Sequence, residues 1–277
     1  MHPRSWLFVP ADSERKVAKA LDSDADALIF DLEDSVAAAN KAKAREMLKE
    51  LPKGSAGPEL WVRVNPIGSE FHKDDLRVIR AAEIHGIVLP KSESGADVIQ
   101  LAHRTGNIPV HAIVTETAAS LFGLLSYRDP KSPLEAMSWG AEDLSAALGA
   151  SSKYDPDGSL SFTYRLARSL CLAGAVAAGV QPVDGVFADF RDEEGLRNEA
   201  EAARSEGFTG KLAIHPSQVP VINAAFTPSS DEIGRAEEIV AAFEAHPDAG
   251  VLSVGGKMVD RPHLVQARRV LERATRE

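Results

Sequence analysis

Short runs of β-branched and apolar residues recur along the chain. Each is followed by a stretch in which apolar positions return every three or four residues. The runs are SWLFVP, ALIFDLED, LWVRVN, GIVLPK, VHAIVTET, AMSWGAED, VDGVFADF and KLAIHP. Helical periodicity fills SERKVAKALDS, NKAKAREMLKEL, DDLRVIRAAEIH, ADVIQLAHR, AASLFGLLSY, TYRLARSLCLAGAVAAG, EEGLRNEAEAARSEG and PSQVPVINAAF. This βα alternation predicts an α/β fold of the (β/α)8 TIM-barrel type. An open doubly wound sheet is the rival, but it calls for a GxGxxG turn after the first strand, where VPADSE stands instead. Beyond the eighth unit lie a long helix, SDEIGRAEEIVAAFEAH, a glycine-containing loop, VLSVGGKMVDRP, and a basic helix, HLVQARRVLERATRE. Residues 1–228 are expected to form the barrel catalytic domain and 229–277 a C-terminal helical extension and lid.

Composition narrows the partners more than the fold. At 277 residues, 44% of them hydrophobic, the chain suits one barrel or two small domains, so the alternation decides. The formal net charge of −10 repels nucleic-acid phosphates and anionic lipid, so neither is an expected partner. The segment MHPRSWLFVPA lacks a long apolar core, and no run approaches the length of a membrane span. A cytoplasmic, reducing location is expected. Cys171, in LCLAGAVAAG, reads as a small buried hydrophobe rather than a reactive thiol.

Barrel enzymes build their sites where strands end, so the polar residues there carry the chemistry. These are Asp31, Glu33 and Asp34; Arg63 and Asn65; Lys91; Glu116; Glu142 and Asp143; Asp189; and His215. Many carboxylates without a histidine or cysteine cluster suit a hard cation, Mg²⁺ or Mn²⁺, rather than zinc. Helix capping is the competing role, strongest for Asp12, Asp34 and Asp192 and weaker for Glu116 and Asp143. Arg63 has a structural alternative too, an ion pair with Asp31 or Glu33 inside the barrel mouth. The remaining histidines show no metal-like spacing, and His215 reads as a shaper of the eighth loop.

The segments LFVPA, IFDLEDSV, VRVN, VLPKSES, VTETAAS, MSWGAEDL, FTGKLAIHPSQ and GGKMVDRP resemble, in order, the citrate lyase β-subunit-like family. That family lies within the HpcH/HpaI aldolase superfamily and includes malyl-CoA and citramalyl-CoA lyases. The resemblance runs from about residue 5 to residue 265 and implies a barrel that assembles as a homo-oligomer, a trimer or hexamer. It implies that Glu116 and Asp143 bind Mg²⁺ and that Arg63 contacts substrate oxygens. It gives CoA the anchors Arg15 and Lys19, with Phe8 lining the pocket, and leaves Asp31, Glu33 and Lys91 in support. Asp260 reads locally as an N-cap beside a glycine hinge, Gly255-Gly256, but the resemblance makes it the catalytic acid/base. One departure is Ala11, where many relatives carry glycine. Another is the loop SSKYDPDGS, a region where relatives differ.

The activity so implied is Mg²⁺-dependent cleavage of a β-hydroxyacyl-CoA such as citramalyl-CoA or malyl-CoA, giving an acyl-CoA and an α-keto acid. Two alternatives keep the barrel and the metal: thioester hydrolysis, or aldol cleavage of a free hydroxy-keto acid. A third is a citrate lyase β subunit acting only in a complex with an acyl carrier protein.

Overall fold

The computed structural model describes residues 2–51 and 57–274, which divide into two compact units at Asn223/Ala224. The first unit is a closed barrel of eight parallel strands. They are β1 (Ser5–Pro10), β2 (Ala27–Asp31), β3 (Glu59–Arg63), β4 (Gly86–Leu89), β5 (Val110–Val114), β6 (Leu134–Trp139), β7 (Gln181–Asp184) and β8 (Gly210–Ala213). Pairing of Trp6 with Leu212 and of Leu7 with Ala213 closes the ring. Helices α1 (Glu14–Leu21), α2 (Lys41–Leu48), α3 (His72–Ile79), α4 (Gly95–Thr105) and the short α5 (Ser120–Gly123) follow the first five strands. After β6 come α6 (Ala141–Leu148) and α7 (Phe162–Ala178); after β7 and β8 come α8 (Glu193–Glu206) and α9 (Val219–Phe226).

The period of two along each strand sets the interior. Trp6, Ala27, Ile29, Trp61, Val88, Ile113, Ala136, Val183 and Leu212 point inward and form one buried cluster, with Phe8 packed against it. Bulky side chains fill the bore, as a small barrel requires. His111 also faces inward and is fully buried. Its ring stands edge-on to Trp6 at 4.6 Å, and Nε2 lies 2.9 Å from Ser138 Oγ. Loss of hydration pushes its imidazole pKa down to about 3.

Three sequence readings change here. The sixth strand stops at Trp139, so the AED that ends the run AMSWGAED opens α6 instead, a helix closed by Gly149. The seventh strand stops at Asp184 instead of continuing through VFADF, so Asp189 sits on an exposed loop. VLSVGGKMVD is not a loop. It forms an antiparallel hairpin of β9 (Val251–Val254) and β10 (Lys257–Asp260) in the second unit. Gly255 and Gly256 have φ of 57° and 74°, the pair of left-handed residues that a two-residue hairpin turn needs. They form a tight turn in a hydrogen-bonded ribbon, not a hinge.

The hairpin lies between α10 (Ser230–Ala245) and α11 (Arg261–Ala274), and Ala236, Ile239, Phe243, Val259, Leu264 and Ala267 form that unit's core. Asp260 stands just before α11, with Oδ1 2.5 Å from His263 Nδ1, a contact that lowers its pKa. The capping geometry anticipated for Asp260 is thus present, with His263 as the reciprocal partner.

Candidate active site

The inward rows continue past the hydrophobic layer into charge. One pleat above Ile29 and Trp61, and paired in register, stand Asp31 and Arg63. Arg63 Nε and Nη2 donate to the two Asp31 oxygens, each at 2.7 Å, a bidentate fork. Nη1 lies 3.0 Å from Glu33 Oε2, and the guanidinium carbon stacks 4.7 Å from the Phe8 ring centroid. Burial pushes the Asp31 carboxyl up, but bonds from Arg63 and from the Glu33 and Ser35 amides outweigh it and hold it below the ordinary carboxylate range. For Glu33 burial wins and raises its pKa despite Arg63 and Lys91. Arg63 is therefore locked in place with N–H groups to spare, because a guanidinium carries five.

Glu116 follows β5 and is 4% exposed. The Lys91 backbone N–H donates to its Oε2 at 2.5 Å, while Oε1 accepts no hydrogen bond among the described residues. Both neighbouring backbones are unusual: Lys91 and Thr115 have φ of 52° and 60°, in the left-handed region that non-glycine residues avoid. Gly140 supplies the space on the other side. A Cβ there would lie 2.7 Å from Glu116 Cγ and Oε1, closer than real contacts allow. The Lys91 ammonium reaches Glu33 Oε1 at 2.6 Å, Asp143 Oδ2 at 3.2 Å and Asp34 Oδ2 at 3.5 Å. Burial, with Asp143 adding like charge, pushes the Glu116 carboxyl up to about 8.

A carboxyl this deep, with one donor and a free oxygen, is short of positive charge. The described residues contain no group of three histidines, cysteines or acids able to hold an ion, so a closed, all-protein site is not formed. Two oxygen donors, Glu116 and Asp143, with the remaining positions left to water or substrate oxygens, fit Mg²⁺.

Arg63, Glu116 and Asp143 line one cavity of about 700 Å³, floored by Phe8, Ile113 and Leu212. It extends past Lys153 and Tyr154 to Arg165 and Arg168 on α7 and Glu199 and Glu206 on α8. The loop SSKYDPDGS therefore contributes a wall of the cavity. The cavity also borders a buried network the sequence did not reveal, through Trp139, Arg168 and Glu199. Lys211, 0% exposed, donates to Asp184 at 2.9 Å, to the Gly185 carbonyl at 2.9 Å and to Glu199 at 2.7 Å. Asp184 also accepts from Arg168 Nε and Trp139 Nε1, each at 2.8 Å. Burial pushes Asp184 up, but the two cations more than offset it and hold its pKa at about 2.

The other sequence-derived candidates sort clearly. Asn65 is buried and bonds the Leu32 carbonyl and Asp75, a structural tie. His215 Nδ1 contacts Ser217 and its ring stacks on Phe190, which shapes the loop after β8. Asp192 does cap α8, accepting from the Gly195 amide. Asp12 and Asp34 do not cap: Asp12 accepts from the Asn40 side chain, and Asp34 lines the cavity near Lys91. Ala11 has negative φ, so its backbone needs no glycine. Arg15 and Lys19 are exposed on α1, without hydrogen bonds or ion pairs among the described residues, and they are not in the cavity lining. Phe8, expected from the resemblance to line the pocket, lies on the cavity floor under Arg63. Cys171 is buried, and burial raises its thiol pKa. No helix among the described residues is long and apolar enough to cross a membrane.

Residues 4–216 match the family model described as HpcH/HpaI aldolase/citrate lyase. The chain belongs to this family. Residues 162–276 also match a model described as a C–C bond lyase of the TIM-barrel fold. Among the family's curated members, a (3S)-malyl-CoA thioesterase of Cereibacter sphaeroides is 40% identical over 99% of this chain and 95% of its own length. A mitochondrial citramalyl-CoA lyase of Rattus norvegicus is 33% identical over 98% of this chain and 86% of its own. Among solved structures of the family, CitE of Mycobacterium tuberculosis in complex with magnesium, acetoacetate and coenzyme A superposes with a TM-score of 0.85. It is 38% identical and covers 98% of each chain.

Proposed function

We propose that this protein is a Mg²⁺-dependent carbon–carbon lyase cleaving a β-hydroxyacyl-CoA, such as citramalyl-CoA or malyl-CoA, into an acyl-CoA and an α-keto acid. The observation that carries the reading is one cavity lined by a rigid guanidinium, Arg63, and by two oxygen donors, Glu116, whose buried Oε1 has no donor among the described residues, and Asp143. Glu116 and Asp143 would hold Mg²⁺, with Mn²⁺ an acceptable substitute, and the ion would supply Lewis-acid polarisation and a template for an α-keto acid.

In cleavage the β-hydroxyl proton is lost to water and the hydroxyl oxygen becomes the keto-acid carbonyl. The carbon–carbon bonding pair passes into the thioester enolate. Arg63, fixed by Asp31 and Glu33, faces the developing negative oxygen with its remaining N–H groups. Asp260 is assigned the acid/base role at the enolate carbon: in condensation its carboxylate takes the α-proton, and in cleavage it passes to that carbon a proton taken up from water, which balances the hydroxyl proton released to water. Arg15 and Lys19 are assigned the CoA phosphates as solvent-facing cations one turn apart on α1. Phe8 is assigned the acyl end of the substrate, because it lies under Arg63. We also assign a homo-oligomer, a trimer or hexamer, in keeping with the family resemblance.

A second reading, thioester hydrolysis, is favoured by the 40% identity to a malyl-CoA thioesterase. Purified protein with Mg²⁺ and a panel of citramalyl-CoA, malyl-CoA and citryl-CoA distinguishes the two by product mass. An α-keto acid with an acyl-CoA, lost in Glu116→Ala and Asp260→Asn, supports the lyase. Free CoA with an intact hydroxy-diacid would overturn it in favour of the hydrolase. No reaction with any CoA ester would point instead to a carrier-protein complex.

A further inference from the structure

Lys91 occupies an expensive backbone position for a reason its side chain makes visible. With φ of 52°, the residue aims its N–H at Glu116 Oε2 while its ammonium turns back over Glu33, Asp34 and Asp143. One residue thus touches both oxygen donors assigned to the metal, one through the main chain and one through the side chain. The two contacts have opposite consequences for a divalent cation. The main-chain bond orients Glu116 and leaves Oε1 open. The ammonium is a positive charge on Asp143 itself, 3.2 Å from Oδ2. A cation that takes Asp143 must displace or crowd that charge. Glu33 gives the ammonium somewhere to remain, because the 2.6 Å bond to Oε1 is independent of Asp143.

We propose that Lys91 is a positioning residue that acts as the resident counter-cation of the metal site. It holds Asp143 in place in the metal-free protein and yields it when the ion binds, so the protein binds the bare ion more weakly than its two carboxylates alone would. This rests on the assignment of Glu116 and Asp143 as metal ligands, but it predicts a sign that the assignment does not.

The test is titration calorimetry of the full-length protein with Mg²⁺ alone, repeated with Mn²⁺. Lys91→Met removes the charge, and Lys91→Gln removes it while keeping a donor for Glu33. Neither introduces glycine at the left-handed position, and melting curves verify that both fold. Each is expected to tighten ion binding by about tenfold, the scale for removing a unit charge several ångströms from a divalent ion in a largely hydrated mouth. Lys91→Arg, which keeps the charge, should bind as the parent does. Unchanged or weaker binding in both neutral variants overturns the proposal, because a merely structural lysine would give that result. Asp143→Asn separates the two claims. If it abolishes binding while the neutral Lys91 variants fail to tighten it, the metal site stands and the role of Lys91 falls. If it binds like the parent, the ligand assignment itself fails and takes this proposal with it.

Discussion

Gly140→Ala is the sharpest perturbation of the site, because it adds one methyl group and changes nothing else. Gly140 has φ of −128° and ψ of 109°, extended backbone that alanine adopts freely, so the substitution carries no conformational penalty. The new Cβ would stand 2.7 Å from both Glu116 Cγ and Oε1. Restoring ordinary contact needs a displacement of about 0.7 Å, taking about 3.4 Å as the near limit of van der Waals approach. Glu116 cannot give easily, because Oε2 is held by the Lys91 amide and the side chain is enclosed.

Overpacking of this kind costs about 1–3 kcal/mol, which in a protein of this size lowers the melting temperature by roughly 2–10 °C. The functional cost should be larger than the structural one, since a misplacement approaching 1 Å at a reacting centre is worth up to about 100-fold in rate. We expect keto-acid release to fall by roughly 10- to 100-fold in a protein that still melts cooperatively. Glu116→Asp, shorter by a methylene, provides the cross-check. In that background Gly140→Ala should cost much less, and the pair should depart clearly from additivity. Full activity with unchanged metal dependence in Gly140→Ala, or strict additivity in the double variant, would refute the reasoning.

Three further predictions follow from the same contacts. Arg63→Lys keeps the charge but loses the fork to Asp31, so activity should fall by about 100-fold or more with substrate at saturation; near-parental turnover would count against a rigid guanidinium. Lys211→Ala leaves Asp184 and Glu199 without their buried cation and should cost about 3–5 kcal/mol in urea unfolding; a loss under 1 kcal/mol would show that Arg168 alone satisfies the network. His111 is neutral in the fold while its unfolded-state value is about 6.5, so its contribution to stability is complete above that pH and declines as pH falls toward about 3. The loss reaches about 2 kcal/mol at pH 5, and His111→Gln should flatten the difference between pH 5 and pH 8 in denaturant midpoints; an unchanged slope would exclude His111 as its source.

The barrel was legible because its signal repeats: eight short apolar runs, each followed by a stretch of period near 3.6, survive any single ambiguous residue. The charged mouth was legible for the same reason, since Asp31, Arg63 and Glu116 each stand where an apolar strand gives way to a polar residue. What escaped depended on non-local facts. Asp184 and Lys211 read as ordinary strand residues, because nothing local says that their side chains meet between β7, β8 and the outer helices. The left-handed backbones of Lys91 and Thr115 carry no glycine to announce them. The β9–β10 hairpin, by contrast, was there to be read: Gly255-Gly256 between two alternating runs is a strong turn signal, obscured by treating glycines as a hinge. Phe8 was legible as a pocket residue, and its inward phase on β1 adds its place under Arg63.

The placement of the tryptophans has an optical consequence. All three, Trp6, Trp61 and Trp139, belong to the barrel, and residues 224–277 contain none. Trp6 and Trp61 sit 5.0 Å apart in the bore beside His111, a closely coupled pair whose emission reports on the hydrophobic plug. Trp139 lines the cavity with its indole N–H tied to Asp184. It is the chromophore that filling of the cavity would disturb. Tryptophan emission of this protein therefore originates entirely in the barrel unit, and a tryptophan reporting directly on α10, α11 or the hairpin would have to be introduced there.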